Sequence, residues 1–228
     1  MSSNTHAAER PLALVYNGPG SCKGCPEDTA KALKLVGFRT KWINSNEINS
    51  ENLSEASLYV QPGGTDNVED TMKHISKNAI RSLQQFVNNG GAYLGICAGA
   101  YLAGVEIRDR KVIPGFALVD VGFEIENTSD DARVLDVNWD GREFRKVYYQ
   151  AGPYFTESSR FESINVATYT KSNHSAAMIY KVGKGRVGVL GPHFEAFKDW
   201  YTDDDLEAPQ ALNHDLFGEF IERLFEAN

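Results

Sequence analysis

Apolar residues in this chain come in short continuous blocks, and between the blocks they recur every three or four positions. Leu12–Tyr16 is an unbroken apolar run closed by Asn17-Gly-Pro-Gly20, the pattern of a buried strand that ends in a loop. Residues 26–36 set Ala30, Leu33 and Val36 on one helical face, with Pro26 and Glu27 in the first turn and Gly37 as the stop. Residues 38–43 predict a second strand, 44–57 a polar loop, and 58–60 a third strand that runs into Gln61-Pro-Gly-Gly64. Residues 66–88 predict one helix that turns Ile80, Leu83 and Val87 to a core and stops at Gly90. Ala92–Ile96 is again apolar throughout. Strands without polar alternation, separated by helices, predict a parallel sheet covered on both faces.

After Gly104 the pattern changes to strands. Residues 112–126 are β-rich, and 133–150 read as a hairpin turning at Asn138-Trp-Asp-Gly141. Residues 165–170 are another strand, and 176–190 a second hairpin turning at Gly183-Lys-Gly185. His214–Phe225 predicts a closing helix with Leu216, Phe220 and Leu224 on its apolar face. The expected fold is α/β: a doubly wound, mostly parallel sheet with helices on both faces, and antiparallel hairpins added in the second half. No repeat or low-complexity linker divides the chain, so residues 1–10 read as a disordered arm and 11–228 as one domain.

Composition narrows the function classes. With 228 residues, 42% hydrophobic and 24% charged, the chain can bury a substantial core. A formal net charge of -8 argues against nucleic acid or an anionic membrane as partner. No apolar run approaches the ~20 residues of a membrane span, and the start lacks a signal-peptide pattern, so the expected location is the cytoplasm. Three cysteines are too few for a disulfide scaffold.

The chemistry gathers at Gly95-Ile-Cys97-Ala-Gly99. A Cys bracketed by glycines between a buried strand and a small-residue helix has the form of a nucleophile elbow, with sulfur in place of the usual hydroxyl. The sharp turn lifts the side chain off the sheet edge, and the helix start favours a thiolate. The alternative is a small core residue. A second stretch, Gly191-Pro-His193-Phe-Glu195, leaves the end of another apolar strand. His193 and Glu195, two apart on extended backbone, point the same way, so the carboxylate can hold the imidazole while its other nitrogen faces a thiol. A Cys97–His193–Glu195 triad follows, against the plainer reading of a strand-end His beside a solvated Glu. The backbone N–H groups of Ala98 and Gly64 are candidate oxyanion donors, although Pro-Gly-Gly would also make an ordinary turn.

Taken in order, Pro-Gly-Gly, Gly-Ile-Cys-Ala-Gly and Gly-Pro-His-Phe-Glu are similar to the class I glutamine amidotransferase superfamily. The run from Gly90 to Tyr101, Gln61-Pro-Gly-Gly-Thr-Asp66, Asn17-Gly-Pro-Gly20 and Tyr149-Gln-Ala-Gly-Pro153 most resemble the N-terminal domain of eukaryotic-type biotin–protein ligases. The resemblance implies a flavodoxin-like core, the Cys-His-Glu triad, no cofactor, and a small-molecule or peptide amide as substrate. An enzyme working alone would be a hydrolase of such an amide; one working in trans would need an ammonia-accepting or ligase partner. One departure is plain: glutamine-using members carry Gly-x-Cys-x-Gly-x-Gln, whereas Tyr101 stands where that Gln would be. Two other functions stay open. One is a regulatory or ligand-sensing module of the same fold. The other is a thiol-redox protein built on Cys22-Lys-Gly-Cys25, a dithiol motif at a helix start on the same rim as the elbow, with two inert loop thiols as its bland counterpart. A zinc site at this pair lacks two further ligands. Asp203-Asp-Asp205 and 108–111 read as solvated charge runs, the first with some capacity for a cation.

Overall fold

The chain is described by a computed structural model covering residues 10–65, 67–108 and 112–226, so most of the expected N-terminal arm, Asp66 and residues 109–111 lie outside the described residues. The first strand, β1 (Leu12–Tyr16), leads to α1 (Cys25–Leu35), β2 (Arg39–Ile43) and β3 (Leu58–Gln61) once the short helix α2 (Ser50–Ser54) is counted between the last two. That helix interrupts the polar stretch expected to be loop. Asn49 starts it, its side chain accepting from the Asn52 N–H. The single helix expected over 66–88 is two: α3 (Val68–Met72) and α4 (Lys77–Asn88). Each has its own cap, Asn67 accepting from Glu69 N–H and Ser76 accepting from Ala79 N–H, and the second cap starts a new helix. β4 (Ala92–Ile96) and α5 (Ala98–Ala103) follow, with Cys97 between them.

Three short strands, β5 (Glu106–Arg108), β6 (Val112–Pro114) and β7 (Phe123–Ile125), join β10 (Pro153–Tyr154) in a small sheet ordered β10-β7-β5-β6. The two expected hairpins are present. β8 (Arg133–Trp139) turns into β9 (Glu143–Tyr149) through the three residues 140–142, with Asp140 and Gly141 at positive φ and the Arg142 N–H donating to Trp139 O at 2.9 Å. β11 (Ser163–Tyr169) precedes β12 (Ser175–Val182) and β13 (Gly185–Leu190), and two helices close the chain, α6 (Lys198–Asp203) and α7 (His214–Phe225). The antiparallel strands are not a separate layer: the large sheet has the order β2-β1-β3-β4-β13-β12-β11-β8-β9. β2, β1, β3, β4 and β13 run parallel, and the rest continue antiparallel.

Burial follows the two-residue period of the strands. Ala13 and Val15 point to a core shared with Leu33, Phe217 and Phe220 from α1 and α7. Leu14 and Tyr16 point to the other face, with Leu83 and Val87 of α4 and Leu102 of α5. Both faces are therefore covered, which is why these strands read as unbroken apolar runs. What matters for chemistry is the pairing of β4 with β13. Leu190 lies opposite Ile96 in a parallel register, so the chain leaves both strands at the same sheet edge. Residues 97 and 193 meet there for that reason.

Candidate active site

Cys97 has φ 50 and ψ -110, a conformation a β-branched or bulky residue would not hold. Its N–H donates to Leu190 O at 2.8 Å, which locks the turn to the end of β13. The flanking glycines are required by close packing. A Cβ on Gly99 would collide with the carbonyl oxygen of Gln61, and one on Gly95 with that of Gly99. Helix α5 thus sits directly on the ends of β3 and β4, and the buried Tyr93 hydroxyl donates to Gly99 O at 2.7 Å. This is strain held in place by surrounding structure, the arrangement expected where a side chain must be presented.

The Cys97 sulfur is half-exposed, lines the same pocket as the His193 ring, and donates to Gln150 O at 3.4 Å. His193 Nδ1 lies 2.8 Å from Glu195 Oε1, with the ring 4% and the carboxylate 0% exposed. The second carboxylate oxygen, Oε2, is buried with no hydrogen-bond partner. Burial disfavours a charged imidazole, yet the adjacent Glu195 carboxylate and the hydrogen bonds to Cys97 and Glu195 outweigh it, and the His193 pKa is pushed up to about 10. The ring is also clamped by aromatics. Tyr148 meets it edge-on at 5.8 Å between centroids and Trp200 lies tilted against it at 4.8 Å. Trp200 is anchored by its indole N–H, which donates to the buried Asp28 Oδ2 at 2.6 Å.

Of these, Cys97, Gln150, His193 and Trp200 line a pocket of about 100 Å³. Gly64 and Ala98 line it together, and a Cβ on Gly64 would be 2.8 Å from the Ala98 Cβ, so the two residues that carry the candidate donor amides stand against each other at this pocket. Tyr101 forms part of the wall and donates to Ala151 O at 3.1 Å. Cys22 and Cys25 form a disulfide with Cα atoms 5.4 Å apart, and this disulfide also lines the pocket. All seven residues singled out from the sequence therefore gather at one place. Sequence reasoning missed Asp28, Tyr148, Gln150 and Trp200. Only Gln150 lies in a segment that the family resemblance marked. Asp204, in the acidic run, accepts from the Tyr148 hydroxyl. Among the described residues no group of three or more His, Cys, Asp or Glu is placed to hold a metal ion.

Comparison with known proteins adds the family. Residues 12–219 match the family described as biotin-protein ligase, N terminal. The chain belongs to this family. It is 29% identical over 210 residues to the biotin–protein ligase of Schizosaccharomyces pombe, a match that takes in 80% of this chain and 33% of that protein. The chain thus spans about a third of that relative's length. Among solved structures, a glutamine amidotransferase is similar with a TM-score of 0.66 at 17% identity, covering 92% of this chain and 97% of the other. The structure of PurLQS from Thermotoga maritima is similar with a TM-score of 0.63 at 16% identity, covering 94% and 99%. At these identities the structural likeness speaks for the fold: a flavodoxin-like, glutamine amidotransferase-type core. Among the described residues, no helix of this family member is long and apolar enough to cross a membrane.

Proposed function

We propose that this protein is an amidotransferase-like amide hydrolase with Cys97 as nucleophile, His193 as proton carrier and Glu195 as the group that orients and charges His193. The observation that carries this reading is the placement of Cys97, on a strained strand-to-helix turn, in one pocket with the His193 ring, whose Nδ1 is held by Glu195 at 2.8 Å. The thiolate attacks the amide carbon, and the carbonyl oxygen takes the negative charge within reach of the Gly64 and Ala98 N–H groups. His193 delivers its proton to the leaving nitrogen, the C–N bond breaks, and a thioester remains on Cys97. Water, deprotonated by the now neutral His193, attacks the thioester and releases the acid with the thiol. Pocket size limits the part of the substrate that enters to a small acyl group, from a small molecule or a peptide side chain.

The amine released is free to enter solvent or to pass to an acceptor protein. The relation to one third of a yeast biotin–protein ligase supports a ligase-type partner. A second reading, a sensor that binds the same ligands without turning them over, draws on Tyr101, whose bulk and bonded hydroxyl occupy the wall where glutamine-using relatives of this type carry Gln. One experiment separates the two. A panel of primary and secondary amides is incubated with wild type and Cys97→Ala, and free ammonia or amine is measured. The proposal expects release by wild type alone; binding without release by either chain would favour the sensor.

A further inference from the structure

The Cys22–Cys25 disulfide is not used by the reaction above, yet it forms a wall of the same pocket. Its contact with the site runs through one residue. At Gly63, the point a Cβ would occupy lies 3.0 Å from Cys25 Sγ, 3.3 Å from Cys22 Sγ and 3.0 Å from His193 Cε1. The disulfide and the imidazole are therefore separated by a gap about one methyl group wide, and only glycine leaves that gap unfilled. The two loops are bonded to each other along three consecutive positions. Cys22 N–H donates to Gly63 O at 3.2 Å, Thr65 N–H donates to Gly20 O at 3.0 Å, and Ser21 pairs with Gly64 in an antiparallel bridge. Gly64 is the candidate oxyanion donor. Cys25 is buried at the start of α1, while Cys22 is half-exposed and open to a reagent from outside. Three residues further along α1, Asp28 holds Trp200 against His193.

We infer that Cys22–Cys25 is a redox modification site that sets the competence of Cys97, the disulfide form holding Gly63, Gly64 and His193 in their working positions. Its co-substrate is a dithiol reductant. The reductant's first thiolate attacks Cys22 Sγ, the protein S–S bond breaks, and Cys25 leaves as a thiolate that takes up a proton. The reductant's second thiol then displaces Cys22, giving two protein thiols and an oxidised, disulfide-bonded reductant; two electrons and two protons are transferred in all. Two thiols need more room than one disulfide. Cys25 is buried and faces Gly63 and the imidazole across that narrow gap, so separating the two sulfurs on reduction displaces the Gly63–Gly64 loop and shifts His193 relative to Cys97. Disulfides in reducing compartments are mostly of this labile, regulatory kind.

This inference rests on the Cys97 reading, and the test keeps the two apart. Wild-type protein is equilibrated in dithiothreitol buffers from fully reducing to oxidising and freed of buffer. It is then pulsed with iodoacetamide at pH 7.5, and labelling of the Cys97 and Cys22/Cys25 peptides is followed separately by mass spectrometry. The expected result is a roughly tenfold slower labelling of Cys97 in the reduced protein, with the same midpoint as exposure of the Cys22 and Cys25 thiols. Cys22→Ser/Cys25→Ser abolishes the dependence on potential. A Cys97 rate that stays flat or rises across that midpoint, while His193→Asn still slows it, overturns the redox inference alone. A Cys97 rate equal to that of free cysteine at both extremes, unaffected by His193→Asn, overturns the enzymatic reading and the inference with it.

Discussion

Replacing Glu195 by Gln keeps the shape of the side chain and removes its charge, which isolates what the carboxylate does for His193. In the wild type the ring is buried, which alone would lower its pKa, and the Glu195 carboxylate, with a smaller contribution from Cys97, more than reverses this to about 10. At pH 7.5 such a ring is almost entirely imidazolium. Without the carboxylate the largest raising influence is gone, and burial pulls the ring down toward the ordinary value near 6.5, at which roughly 10% would be charged at the same pH. The charged form of the ring beside Cys97 is then reduced up to about tenfold, and alkylation of Cys97 should slow by about 10-fold. The sign of the stability effect follows from the raised pKa. Stabilisation is complete below about pH 6.5 and is lost as pH rises through about 10. A shift of that size corresponds to on the order of 5 kcal/mol at most, less whatever is regained by no longer burying a carboxylate whose Oε2 lacks a partner. The assay is a nitrogen-15 NMR titration of the histidine rings, with urea unfolding at pH 6, 8 and 10. A His193 signal that titrates near 6.5 in the wild type, or that does not move in Glu195→Gln, refutes the reasoning.

Two further outcomes test the scaffold. Gly99→Ala should destabilise by about 3 kcal/mol or prevent folding, because its Cβ meets backbone rather than a movable side chain, and the urea midpoint reports it. Trp200→Ala should cost about 2 kcal/mol in the same measurement. It should also speed exchange of the His193 ring protons, since the indole both covers the imidazole and satisfies Asp28, and an unchanged exchange rate would contradict that role.

Much of this was legible in one dimension because the physics is local. β1, β4 and β13 are buried on both faces, so they appear as apolar runs, and strand ends in a parallel sheet share an edge. Once Cys97 and His193 were both placed at strand ends, their meeting required only that β4 and β13 be neighbours. The resemblance of the motifs pointed the same way. The polar stretch before α4 misled, since a second cap at Ser76 divides what helical spacing alone would join. The strands β5, β6 and β7, three residues each, are too short to carry a period. Trp200 and Asp28 were illegible for a different reason. They are 172 positions apart and their pairing depends on how α6 settles on α1, which no spacing encodes. The Cys22-x-x-Cys25 pair was visible, but its contact with the imidazole through Gly63 was not.

The central claim is that an imidazole activates a thiol at the shared sheet edge. Its most direct test is the second-order rate of iodoacetamide alkylation at pH 7, mapped to the peptide containing Cys97, in wild type and His193→Asn. The account predicts a Cys97 rate at least about tenfold above that of free cysteine, falling to the free-cysteine value in the variant; equal rates in the two proteins would contradict it.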